Sequence, residues 1–314
     1  MSTTGTDIHK AAEWLHKGEL VAIPTETVYG LAANALNTKA VVKIFEAKNR
    51  PFFDPLICHT YHIDAINDYV KSVPDWAAQL YKYFAPGPLS VLLPKKSNIP
   101  DIVTSGLDTV AFRIPNQDMT LMLLQMVDFP LAAPSANPFG YISPTTAKHV
   151  DTLLGNHVPY ILDGGTCNIG VESTIVGEEH GKITVYRLGG VSVEEIETML
   201  GKVQIVSKSS VANAPGMLDS HYAPRKKMYI VSDLAQVETS ENASILSFDK
   251  KYTTAKNLIL SPNSDLSEAA QNLFSYLRML DNDTSTNTIY TTLVPDTGIG
   301  KAINDRLVKA SYKK

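Results

Sequence analysis

Short apolar runs alternate with amphipathic stretches from residue 7 to about residue 200, and no other feature limits the possible folds of this chain as much. The runs at 20–23, 55–58, 89–93, 110–114, 131–133 and 160–162 are too short for buried helices and read as strands of a buried sheet. Between them, 7–17, 38–48, 63–70, 75–84, 119–127 and 146–154 carry helical periodicity. The first of these has a capping Asp7, an Ile8/Ala11/Ala12/Leu15 stripe and Gly18 just beyond its end. Runs at 173–176 and 183–186 predict a strand pair, succeeded by a helix over about 192–200. The pattern predicts an α/β fold with a mixed sheet rather than a repeat protein.

Composition shifts after residue 206. Ser207 to Ala214 are small and polar, and Pro215-Gly216 and Ala223-Pro224 punctuate the next ten residues, which is the turn chemistry of a linker. Strand-like runs then appear at 228–231, 244–248, 258–260 and 288–294, with helices at 266–280 and 301–310. That predicts a small α/β unit of doubly wound character, without the GxGxxG of a dinucleotide site. The expected division is a catalytic domain over 1–206, a linker or lid over 207–227 and an accessory domain over 228–314.

With 44% hydrophobic and 19% charged residues among 314, the chain has an ordinary globular composition and is long enough for two cores. Its formal charge of −4 argues against gripping nucleic acid over a broad basic face, while leaving room for a local basic cavity. The two cysteines, Cys58 and Cys167, form no CxxC and point to neither a disulfide framework nor a zinc site. There is no signal-like apolar segment at the start and no run near the ~18 apolar residues of a membrane span, so a cytoplasmic location is expected.

The chemistry-bearing residues gather where these strands end. The turn Thr25-Glu26-Thr27 comes directly after the first run, and Lys48 and Arg50 close the helix over 38–48. His59 comes after the second run, Arg113 ends another, and Pro134-Ser135-Ala136-Asn137 succeeds the next. Glu172-Ser173-Thr174 and Arg187 flank the strand pair. Singly, each has an ordinary role as a cap, a turn or a surface cation. Together they predict a pocket at strand ends, with the two cations suited to phosphate.

In chain order, Pro-Thr-Glu-Thr-Val-Tyr-Gly-Leu (24–31), Ala-Lys-Asn-Arg-Pro (47–51), Pro-Leu-Ile (55–57) with His59, Phe-Arg-Ile-Pro (112–115), Pro-Ser-Ala-Asn (134–137), Glu-Ser-Thr-Ile (172–175), Arg-Leu-Gly-Gly (187–190) and Pro-Gly-Met…His-Tyr-Ala-Pro (215–224) resemble the two-domain threonylcarbamoyl-AMP synthase family. The resemblance is strong over about 5–224 and architectural beyond. It departs at Asn49, where Gly is expected, and at Asp54, where Asn is common.

The resemblance implies a YrdC-like twisted mixed sheet with flanking helices, plus a small Rossmann-like α/β C-terminal domain. It implies a nucleotidyltransferase: L-threonine and bicarbonate form N-carboxy-threonine, whose carboxylate attacks the α-phosphate of ATP to give threonylcarbamoyl-AMP and pyrophosphate. By the same resemblance, ATP (with Mg²⁺) would meet Lys48, Arg50, Asp54, Thr109, Ser135, Asn137, Ser143, Arg187 and Tyr222, with Lys48 and Arg50 catalytic. Threonine would meet Thr27, His59, Arg113 and Ser173, and no protein metal ligand is expected. Its implied partner is a downstream tRNA threonylcarbamoyl transferase, with weak or indirect tRNA contact and no membrane. Glu26 is expected to be structural or to orient Lys48 or Arg50, His221-Tyr222 to belong to a lid hinged at Gly216, and Asp281-Asn282-Asp283 to be a solvated helix end or turn.

Three rivals are weaker. An RNA-binding module would need base-stacking aromatics among Lys43, Lys48 and Arg50. A carbamoyl-phosphate-using maturation factor would carry acylphosphatase-like and zinc-finger segments, which this chain lacks. A nucleotide sensor would bind ATP without releasing pyrophosphate.

Overall fold

The computed structural model describes residues 2–206, 221–237, 242–253 and 256–312. Residues 207–220 of the expected linker over 207–227, with its hinge candidate Gly216, lie outside the described residues.

The N-terminal half runs β1 (Thr3–Gly5), α1 (Ile8–His16), β2 (Val21–Ile23), β3 (Gly30–Asn34), α2 (Thr38–Lys48), β4 (Ile57–His59), α3 (Ile63–Ile66) and α4 (Asp75–Phe84). It continues through β5 (Leu89–Pro94), α5 (Asp101–Thr104), β6 (Thr109–Arg113), α6 (Asp118–Met126), β7 (Leu131–Ala132), α7 (Ala147–Leu154) and β8 (Tyr160–Leu162). The hairpin β9 (Thr174–Glu179) and β10 (Lys182–Arg187), α8 (Val193–Leu200) and β11 (Gln204–Ile205) complete it. The strands form one mixed sheet in the order β1-β8-β2-β3-β7-β4-β6-β5-β9-β10-β11.

Alternation along the strands decides which face each side chain meets. On one face Ala22, Leu31, Cys58, Val91 and Phe112 pack with Val41, Ile44 and Phe45 of α2, Leu80 of α4 and Val150 of α7. On the other, Val21, Ile23 and Ala32 meet Ala11 and Leu15 of α1 and Leu123 and Leu124 of α6. Thus β2 and β3 are covered on both faces. Farther along, the second face of β4, β6 and β9 holds only the small cluster Ile57, Ala111 and Ile175. His59 and Arg113 stand two residues beyond Ile57 and Ala111, and so on that same face. The candidate site opens there.

The structure revises several expectations. The helix over 63–70 is only the single turn α3, and the segment after the Thr25–Thr27 turn is the strand β3. The sequence of β3, Gly-Leu-Ala-Ala-Asn, has no β-branched residue, and its strand state comes from antiparallel pairing with β2 and β7. Residues 3–5 and 204–205 add edge strands too short for a readable period.

The C-terminal unit consists of β12 (Lys227–Ile230), β13 (Ala243–Ser247), β14 (Lys256–Ile259), α9 (Leu266–Asn282), β15 (Thr288–Thr291) and α10 (Gly300–Ser311). Among the described residues its strands are all parallel, ordered β12-β15-β13-β14. Its core is shared with the first sheet's loops and the segment before β12: Val28, Ile142, Val171 and Tyr222 pack with Leu273, Phe274, Leu277, Ile303 and Leu307. Asp281, expected in solvent, is buried and accepts from the Tyr141 hydroxyl (2.6 Å) and the Arg225 guanidinium (2.9 Å). It anchors α9 to the loop after β7.

Candidate active site

Helix α2 ends on Lys48, and Asn49 adopts φ +50°, the left-handed conformation that closes helices. Asparagine tolerates that conformation better than most side chains do, so it fills the place expected for Gly. The reversal turns Arg50 inward. Lys48 Nζ donates to the carbonyls of Ser135 and Asn137 (2.5 Å each), tying the helix end to the loop after β7. Arg50 donates to the carbonyls of Asp54 (3.1 Å) and Pro55 (2.8 Å) and pairs with the Asp54 carboxylate at 2.9 Å. Asp54 is fully buried against Arg50 and stands as its counter-ion. Burial, with Arg50 alongside, drives the pKa of Lys48 well down, and the charge of Asp54 opposes this. An arriving phosphate would reverse that shift.

The Asn137 amide donates to the carbonyls of Pro138 (2.9 Å) and Tyr141 (2.8 Å), shaping the loop. Ser135 faces the pocket directly.

A second group of side chains surrounds Arg113. Its guanidinium donates to Thr27 Oγ1 (2.9 Å) and the Gly87 carbonyl (3.3 Å), and its Nη2 lies 2.7 Å from Glu26 Oε1. Glu26 therefore partners Arg113, not Lys48 or Arg50. The sequence order of the motifs could not reveal this, because β2 and β6 meet the same site from different parts of the sheet. Ser173 Oγ bonds Ser90 Oγ (2.8 Å), and Arg187 donates to the Ser173 carbonyl (3.0 Å) and hydroxyl (2.9 Å). His59 is held neutral: burial, reinforced by Arg113, lowers its pKa to about 3.

His221 and Tyr222 close over these groups. Tyr222 takes φ +62°, is 1% exposed, and stacks on Phe274 of α9 with ring centroids 5.4 Å apart. The Arg306 guanidinium of α10 lies over the Tyr222 ring, 5.2 Å from its centroid. Arg50, His59, Arg113, Ser135, Ser173, Arg187, His221 and Tyr222 thus enclose a cavity of about 50 Å³.

Two expected residues stand apart. The Ser143 hydroxyl donates to Glu172 Oε1 (2.6 Å), one side chain behind the pocket wall. Thr109 lies on the face of β6 that carries Arg113, but four residues back, about 13 Å along an extended strand. It lines a neighbouring cavity with Trp76, Leu92 and Tyr186, and the buried cluster Ile57, Ala111 and Ile175 packs against Leu92 and Tyr186 between the two. Two further residues of the site had no role assigned from the sequence. Glu172 belongs to the motif at 172–175 but has an ordinary polar reading there, and Arg306 carries no motif at all.

The chain is similar to known proteins. Residues 13–189 match the family model described as "Telomere recombination", and residues 191–311 match "Threonylcarbamoyl-AMP synthase, C-terminal domain". The chain belongs to the threonylcarbamoyl-AMP synthase family. It is 40% identical to the threonylcarbamoyl-AMP synthase of Pyrococcus abyssi over 97% of this chain and 94% of that protein. The corresponding figures for the synthase of Bacillus subtilis are 37%, 99% and 94%. A crystal structure of P. abyssi Sua5 complexed with L-threonine superposes with a TM-score of 0.92 at 36% identity, covering 99% of this chain and 97% of that one. The mixed α/β fold expected from the sequence is therefore that of the synthase family.

Proposed function

We propose that this chain is an L-threonylcarbamoyladenylate synthase, a nucleotidyltransferase making threonylcarbamoyl-AMP and pyrophosphate from L-threonine, bicarbonate and ATP. The observation that carries this reading is the joining of two unlike subsites in one pocket. Arg50 and Ser135, backed by Lys48, form one side; Arg113, His59 and Ser173, backed by Thr27, form the other. The full-length likeness to synthases, and to a structure complexed with L-threonine, supports it.

A guanidinium offers a planar fork to a carboxylate, so Arg113 takes the carboxyl group of threonine. Neutral His59 and the hydroxyls of Thr27 and Ser173 suit an uncharged hydroxyl and amine. Once the amine has added to bicarbonate and a water has left, the new carbamate carboxylate is the nucleophile, and the protein need supply none. Its P–O bond to the α-phosphorus forms as the bond to the bridging oxygen of pyrophosphate breaks. Such a transfer depends on alignment and positive charge, which Lys48, Arg50 and Arg187 provide. The triphosphate lies toward Lys48 and Arg50.

Glu26, Asp54 and Glu172, the carboxylates beside the pocket, are each matched with an arginine. Among the described residues no group of three or more His, Cys, Asp or Glu side chains is placed to hold a metal. Mg²⁺ is read as arriving on the triphosphate. Both the carbamate and the mixed anhydride decompose in water, which suits a site covered by His221 and Tyr222. Residues 1–206 are read as the catalytic domain, 207–227 as the linker that carries this cover and 228–314 as the accessory domain. The product would pass to a tRNA-modifying transferase in the cytoplasm. Among the described residues no helix is long and apolar enough to cross a membrane.

The test is pyrophosphate release from Mg·ATP with threonine and bicarbonate each omitted in turn. Release requiring both supports the synthase; release indifferent to threonine sinks it.

A further inference from the structure

Each carboxylate beside the pocket has its own arginine, and the third of these comes from the C-terminal unit. Asp54 has Arg50 and Glu26 has Arg113, both within the first sheet's loops and strands. Glu172 has Arg306, which reaches in from α10: Nε donates to Glu172 Oε2 at 3.1 Å, and the arginine is wholly buried. Glu172 uses its other oxygen to accept from Ser143, and its neighbour Ser173 is gripped by Arg187. Arg306 also covers the Tyr222 ring and pairs with Asp305 at 2.7 Å, which fixes its own position. A second arginine of the same unit, Arg278 of α9, donates to the carbonyl of Ile142 (2.8 Å), beside Ser143.

We propose that Arg306 is a positioning residue for the nucleotide: by neutralising Glu172 it allows a polyanion to occupy the pocket that Glu172 lines. The inference rests on the synthase reading. Glu172 is 6% exposed and lines the cavity. Without Arg306 it would present a carboxylate stripped of its bonded guanidinium, in a medium of low dielectric, to a triphosphate, and would draw on the Arg187 charge that the triphosphate needs. Arg306 does not line that cavity, so its influence passes through Glu172 and not through contact with substrate.

The test compares Glu172→Gln, Arg306→Met and the double variant, reading the dissociation constant of ATP by titration calorimetry and the KM values for ATP and threonine by pyrophosphate release. Arg306→Met should weaken ATP binding at least tenfold while moving the threonine KM less than threefold. The double variant, in which neither member of the pair is charged, should bind ATP within threefold of Glu172→Gln alone. A structural role would be rescued in the same way, but it would move the ATP and threonine constants together, so the split between them is what marks the positioning role. ATP binding unchanged in Arg306→Met, or a double variant more than threefold weaker than Glu172→Gln, overturns the proposal. The second comparison holds even if Arg306→Met does not fold. A wild-type chain that releases no pyrophosphate would instead defeat the synthase reading, while the ATP titrations would still decide the role of Arg306.

Discussion

Glu26 Oε1 and Arg113 Nη2 stand 2.7 Å apart, with 3% and 5% of their side chains exposed. The contact is close but out of line with the N–H, since neither atom completes a hydrogen bond there. Arg113 thus keeps hydrogen-bonding capacity for a second carboxylate, and threonine would share the guanidinium with Glu26 rather than displace it. Arg113→Ala should raise the threonine KM roughly a hundredfold, the loss of a charge-assisted fork worth about 3 kcal/mol. The ATP KM should stay within about threefold, a tolerance well below the ~1.4 kcal/mol of a tenfold change. Steady-state kinetics with each substrate varied checks this, and the opposite ordering would mean that the two subsites are exchanged.

The same variant strands a buried carboxylate, and so does Arg50→Ala, whose partner Asp54 is fully buried. Breaking a buried pair from one side typically costs about 3–5 kcal/mol. Arg50→Ala is therefore expected to lose both stability and turnover. Asp54→Asn keeps the shape and leaves Arg50 its bonds to the carbonyls of residue 54 and Pro55, so it should lose less, about 1–3 kcal/mol. It should leave the ATP KM unchanged or lower. Urea denaturation beside the kinetics tests both; an Arg50→Ala protein as stable as wild type would contradict the burial argument.

Acid should destabilise the fold through His59, whose pKa is lowered from 6.5 to about 3, chiefly by burial and then by Arg113. Between those values the unfolded chain binds a proton that the folded chain does not, so stability rises with pH across that window. The contribution of His59 is complete above about pH 6.5 and is lost as pH falls toward 3. One fully shifted site gives a slope of about 1.4 kcal/mol per pH unit. His59→Gln should flatten the stability profile between about pH 6 and 5 by roughly that amount. An unchanged slope would show that the imidazole is not held neutral.

Much of the fold and of the site was legible in the sequence, for a physical reason. Amphipathic period places helices such as α2 and α4, whose bounds the sequence predicts to the residue, because burial of one face determines both period and length. Strand ends carrying Arg113, His59 and Ser135 are readable because their apolar runs stop at polar residues. Pairings between distant segments are not. Glu26 with Arg113, Asp281 with Tyr141 and Arg306 with Glu172 depend on the order of strands and on the seat of the C-terminal unit. No local pattern encodes those relations. The alanine-rich β3 shows the same limit at the level of secondary structure.

Close backbone approach makes Gly189 irreplaceable. A Cβ there would sit closer than 3.0 Å to the carbonyl oxygen of Glu172 and to the backbone of Ser173 and Thr174. Each of these neighbours is main chain, which cannot rotate aside. Gly189 lies just past the strand that carries Arg187, and Gly190 N donates to the Glu172 carbonyl at 3.0 Å, so the two segments are laced together where Ser173 meets Arg187. Gly189→Ala must push Ser173 away from Arg187 or open the β9–β10 end. The expected cost is about 2–4 kcal/mol of stability, from backbone displacement in a packed site. Turnover should fall at least tenfold, about 1.4 kcal/mol in the barrier. Ala substituted instead at Gly181, in the β9–β10 turn with nothing within 4 Å, should leave turnover intact although φ is +74° there. Thermal unfolding and pyrophosphate release measured on both variants separate the effect of close approach from that of backbone conformation, and equal losses in the two would remove the packing explanation.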